Sequence, residues 1–131
     1  ISLEFYNNAA YQDYEGIALD LAERERLVKD LGDKPVLILR NHGLLTVGQT
    51  AQQAFLRMYY HEKACEIQLA AQSGGQLVLP SANVCAHTER QFNQPMEPRL
   101  PTGVMVDTDG YELAWKALLR LLDRIDPTYK T

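Results

Sequence analysis

Cysteine is scarce in this sequence: Cys65 and Cys85 are the only two among 131 residues. No Cys-x-x-Cys pair is present, so a thiolate zinc site of the usual spacing is excluded. Both thiols sit in helix-like contexts and read as buried cysteines of a reducing cytoplasm rather than as a bridge. No apolar run approaches the roughly 20 residues that span a bilayer, and no stretch has the pattern of a secretory signal. Positive charge is also in deficit: 13 Lys and Arg face 17 Asp and Glu, for a net charge of −4. That balance lacks the basic footprint of a nucleic-acid binder. There is no GxGxxG or GxxxxGK[ST] phosphate loop, and no GxSxG nucleophile elbow.

What is present is an ordinary globular composition, 46% apolar and 23% charged, enough for one domain with a core. ISLEFYN alternates from Ile1 through Leu3 and Phe5 and predicts a strand. AAYQDYEGIA predicts a second strand. Asp20 with Glu23 forms a capping box for a helix whose end is marked by Gly32, with Leu27, Val28 and Leu31 as its apolar stripe. Pro35 opens Val36 to Leu39, apolar without alternation and hence covered on both faces. Leu44 to Val47 predicts another strand. Thr50 and Gln53 cap a long helix to about Gln72, ended by Gly74-Gly75, with Ala51, Phe55, Met58, Cys65 and Leu69 as its stripe and Glu62 inside that stripe. Leu77 to Leu79 predicts an edge strand, and Ser81 opens a further helix to Phe92. Residues 94–107 carry Pro95, Pro98 and Pro101 and read as an extended linker. A last helix, capped by Asp109 and Glu112, runs with Ala114, Trp115, Leu118, Leu121, Leu122 and Ile125 up to Pro127. The grouping of two strands, a helix and two strands predicts a largely antiparallel or mixed sheet with helices on its faces.

Three histidines carry the candidate chemistry. Cys85 and His87 are two apart on a helix and point about 200° from each other, so they cannot chelate. His61, next to Glu62, reads as a surface or interface histidine. His42 ends VLILRNHG. With the strand prolonged to it, His42 shares a face with Val36, Ile38 and Arg40, and Gly43 offers a sharp turn at positive φ. An imidazole at a strand tip is either a metal ligand or a locally hydrogen-bonded group, and the residues leave both open. Tyr11 to Gly16 forms a second polar cluster, in which Asp13 and Glu15 share a strand face. They read as an exposed edge before acid/base groups.

ILRNHGLLTVG, the helix AFLRMYYHEKACEIQ, YQDYEGIALDL and LVKDLGDKP together resemble the class II aldolase/adducin family. The resemblance implies a three-layer α/β/α fold around a mainly antiparallel sheet, incomplete at its N-terminus. Residues 1–93 would be the C-terminal half of such a domain, and 94–131 a linker and helix packing on it or on a neighbouring subunit. It also implies a divalent metal, usually zinc, held by three histidines, of which His42 is the third. The upstream HxH pair and the acid/base glutamate have no counterpart in these residues. Gln12 stands where related bacterial chains are expected to carry histidine. The implied function is metal-assisted cleavage of a carbon–carbon bond in a hydroxy-carbonyl or sugar-phosphate substrate. This segment is expected to be inactive alone, and the complete protein to be a cytoplasmic homo-oligomer, a tetramer by the family pattern. The adducin branch implies the alternative, a non-catalytic assembly domain.

Overall fold

A computed structural model describes residues 2–14, 21–93 and 111–130. The chain divides into two compact units, Ile1–Phe92 and Asn93–Thr131. The elements of the first unit are β1 (Ala9–Gln12), α1 (Leu21–Leu31), β2 (Val36–Leu39), β3 (Gly43–Thr46), α2 (Ala51–Ser73) and α3 (Ala82–Asn93), whose last residue falls in the second unit. The second carries α4 (Tyr111–Ile125) and a short 3-10 turn, Pro127–Lys130.

The three strands form one mixed sheet in the order β1-β2-β3. β1 runs parallel to β2, pairing Ala9 with Val36 and Gln12 with Leu39. β2 and β3 are antiparallel, pairing Val36 with Thr46 and Leu39 with Gly43. Side chains alternate along a strand, so Val36 and Leu37 point to opposite faces. Val36 is fully buried with Phe5 and Ala64 of α2, and Tyr60 packs on that cluster. Thr46, opposite Val36, donates its hydroxyl to the Ala54 carbonyl of α2 at 2.9 Å. α2 therefore covers the Val36 face. Leu37 is also fully buried, on the other face, and α1, the crossover between the parallel strands, packs against both β1 and β2. The result is helix, sheet, helix, which explains why VLIL is apolar at every position.

Local sequence sets the helix ends. Thr50 caps α2 by accepting from the Gln53 amide at 3.2 Å, while the Gln53 side chain reaches back to the Gln49 amide at 2.8 Å. Gly48 is required just before this cap, because a Cβ there would meet the Ala54 nitrogen at 2.7 Å. α1 ends at Gly32, which takes φ +56° and donates to the Val28 carbonyl. Its start at Asp20, like Glu15, Asp109 and the 94–107 linker, lies outside the described residues. In the second unit α4 ends before Pro127, and Tyr129 and Lys130 fold back onto Asp123.

Several expectations from the sequence are corrected. Ser2–Phe5 is a 3-10 turn, not a strand. Of its described alternating residues, Leu3 and Phe5, only Phe5 is buried, and Asn7 at φ 60° turns the chain before β1 begins. Leu77–Leu79 is not a strand; Val78 is 98% exposed and its run pairs with no described strand. In α2 the buried residues are Leu56, His61 and Ala64, while Phe55 and Leu69 are exposed. Apolar side chains surround this helix, so spacing alone did not select the face that meets the sheet. Glu62 is accordingly exposed rather than inside a stripe. Val28 likewise drops out of the α1 stripe, being 70% exposed.

Leu37→Ala is expected to lower unfolding free energy by about 2–5 kcal/mol in urea titration, whereas Val28→Ala is expected to change it by no more than about 0.5 kcal/mol. Equal effects at the two positions would contradict the facing assigned to α1.

Candidate functional site

β2 stops at Leu39, so the strand does not carry His42 in register with Val36, as its sequence had predicted. Arg40, Asn41 and His42 form a three-residue loop closed by the Leu39–Gly43 pair, and the His42 amide donates to the Leu39 carbonyl at 3.0 Å. The positive φ is at Asn41, 57°, not at Gly43. Asparagine tolerates the left-handed region at the third position of such a turn. Around Gly43 a Cβ would find open space, so nothing in its surroundings demands glycine.

The parallel ladder continues one rung past β2, with the Arg40 amide donating to the Gln12 carbonyl at 3.0 Å. That rung carries residues 13 and 14 alongside the hairpin tip. Arg40 donates to the Asp13 carboxylate at 3.0 Å, and its guanidinium lies 5.3 Å from the centre of the Tyr11 ring. Tyr14 stacks on His42, with ring centres 6.2 Å apart and planes 30° from parallel. Residues 11–14, the described part of the Tyr11–Gly16 cluster, thus meet the Arg40–His42 loop at the carboxyl ends of the parallel strands. Open α/β sheets place their ligand sites at this end. The Asp13–Arg40 pair has side chains 82% and 57% exposed, so it contributes about 0.2–1 kcal/mol at most. Its consequence is geometric, since it ties β1 to the hairpin.

His42 is exposed, and its ring makes no hydrogen bond to a described residue. As a neutral imidazole it is a competent metal donor. Catalytic zinc needs three protein ligands, however, and among the described residues no group of three or more His, Cys, Asp or Glu could hold an ion. Asp13, the described carboxylate of the cluster, is engaged by Arg40. These residues fit one corner of a metal centre and do not complete it.

The other candidates fall elsewhere. Cys85 is buried and His87 exposed on α3, the divergence expected from their spacing. Cys65 and Cys85 are both free thiols, and burial pushes Cys65 above its ordinary pKa, with Glu62 adding to the effect. His61, read as a surface or interface histidine, is not on the surface of this chain. It is 5% exposed, edge-on to Phe5 with ring centres 4.8 Å apart, and neither ring nitrogen has a hydrogen-bond partner among the described residues. Loss of hydration holds its pKa below the ordinary value, an effect partly offset by Glu62. Gln12 is buried as well, and its Nε2 has no hydrogen-bond partner among the described residues. No sequence signal marked the burial of His61.

A mixed sheet between helices, with a histidine-bearing hairpin at the carboxyl ends of its parallel strands, defines the class. The profile of the Class II Aldolase and Adducin N-terminal domain matches residues 2–69. The chain belongs to the class II aldolase and adducin family. It is 47% identical over 120 residues to a protein of Caulobacter vibrioides named "Putative aldolase class 2 protein", covering 92% of this chain and 43% of that one. Alpha-adducin of Mus musculus is 35% identical over 128 residues, covering 90% and 16%. The crystal structure of an aldolase II superfamily protein from Pseudomonas syringae superimposes with a TM-score of 0.81 at 45% identity, covering 98% of this chain and 48% of that one. L-fuculose 1-phosphate aldolase from Glaciozyma antarctica gives a TM-score of 0.68 at 21% identity, covering 96% and 42%, a likeness of fold alone. The chain spans a little under half the length of the two bacterial proteins.

His61 generates a pH prediction. Its pKa is near 6.5 when unfolded and lower when folded, so near pH 6.5 the unfolded chain binds more protons and stability rises with pH. The contribution is complete above pH 6.5 and is lost as pH falls toward the lowered folded value. Urea unfolding between pH 7.5 and 5 is expected to show a slope that flattens in His61→Phe, by at most about 1.4 kcal/mol per pH unit. An unchanged slope would remove His61 as its cause.

Proposed function

We propose that this chain supplies one imidazole ligand, His42, to the divalent-metal centre of a class II aldolase-type aldehyde-lyase. The metal is zinc, and the substrate a small hydroxy-carbonyl compound of the sugar-phosphate kind. The other donors and the acid/base carboxylate come from outside these 131 residues, so the segment alone is inactive. The observation that carries this reading is the placement of His42: exposed, free of hydrogen bonds to described residues, and held by a tight hairpin at the carboxyl end of the parallel pair. Family membership and the 45% identity to an aldolase II superfamily structure support it. A bound metal would act as a Lewis acid on substrate oxygens; the part of this chain is to hold one ligand at a fixed point. The free thiols of Cys65 and Cys85 support a cytoplasmic setting. Exposed apolar residues at Phe55, Ile67, Leu69 and Phe92 support a homo-oligomer, tetrameric by the family pattern. No described helix is long and apolar enough to cross a membrane.

The likeness to alpha-adducin favours one second reading, a non-catalytic assembly domain. Zinc content and affinity of the intact protein separate the two. The lyase reading expects about one zinc per chain after dialysis, retro-aldol turnover, and a loss of more than about tenfold in zinc affinity in His42→Ala. A metal-free, self-associating protein without turnover would establish the assembly reading.

A further inference from the structure

A ligating histidine is ordinarily oriented through its second nitrogen, which donates to a carboxylate, a carbonyl or water. His42 has no such bond to a described residue. The contact it does have is with the Tyr14 ring, whose plane lies 30° from its own with centres 6.2 Å apart. A stacked ring fixes the plane of an imidazole without occupying either nitrogen, leaving one lone pair available to a metal. Tyr14 is itself located by two neighbours in sequence, both fastened to Arg40 of the same hairpin loop: Gln12 through its carbonyl and Asp13 through its carboxylate. Three successive residues of one segment thus grip the tip of a hairpin that lies 28 positions further along the chain.

We infer that Tyr14 is a positioning residue for His42, setting the plane of its imidazole by stacking, with the Gln12 and Asp13 contacts to Arg40 holding the two rings in register. The inference rests on the reading of His42 as a metal ligand and adds the residue that orients it. Tyr14 does no chemistry, and its hydroxyl is dispensable to the role. Tyr14 is 52% exposed, so its replacement leaves the core untouched.

The test uses the intact protein, with zinc alone as the probe. Tyr14→Ala is expected to weaken zinc binding on the order of tenfold, while Tyr14→Phe stays within about twofold, since the stack needs the ring and not the hydroxyl. In the metal-free protein the His42 ring protons are expected to show an upfield ring-current shift in nuclear magnetic resonance, kept in Tyr14→Phe and lost in Tyr14→Ala. Native affinity in Tyr14→Ala beside a binding-deficient His42→Ala would overturn the inference and leave the proposed function standing. Weakening in Tyr14→Phe equal to that in Tyr14→Ala would also overturn it. Native affinity in His42→Ala would overturn the ligand reading instead, and the ring-proton shifts would then decide the Tyr14 contact independently of metal.

Discussion

The parallel pairing of β1 with β2 is the constraint on which the rest depends. It is made by two four-residue strands and requires a crossover, which α1 provides on one face while α2 covers the other. Burial of Leu37 and Val36 on opposite faces supplies the driving force, and loop closure opposes it. The pairing places residues far apart in sequence at one edge, because its final rung joins Gln12 to Arg40. Remove that rung and Tyr11, Asp13 and Tyr14 no longer have a fixed relation to Arg40 and His42.

Stability and site are consequently built from different materials. The sheet is held by apolar residues of almost no exposure, whereas the contacts at its carboxyl end are an exposed ion pair, a cation over a ring and two stacked rings. Such contacts contribute little to folding free energy. They specify direction instead, which is what the role proposed for His42 would require. The same separation accounts for a family containing both aldolases and adducins. Fold membership leaves the chemistry to be established from the site.

Much of this was legible in the sequence where local chemistry decides the outcome. Thr50 with Gln53, Gly32 past α1, Pro127 past α4 and the unbroken VLIL run all mark what they proved to be. The misreadings share a physical cause, namely a tertiary contact that local pattern does not encode. Ser2–Phe5 alternates like a strand, yet it turns so that Phe5 can dock on α2. The apolar residues of α2 surround the helix, and only the sheet selects Leu56 and Ala64. His61 lies edge-on to Phe5, a contact that the residues around it in sequence do not announce. At the hairpin the turn was foreseen but assigned to Gly43, whereas Asn41 takes the left-handed conformation. RNHG marked His42 as a candidate; its contact with Tyr14 was not readable, because it depends on strand register.

The central claim is that the parallel ladder extends to the Gln12–Arg40 rung and so assembles the site. Amide hydrogen exchange at Arg40 tests it most directly, since its N–H has the Gln12 carbonyl as acceptor. The account predicts protection of the Arg40 amide comparable to that of Leu37 within β2, lost together with it on unfolding. Exchange of Arg40 at the rate of an unstructured peptide, with Leu37 still protected, would contradict it.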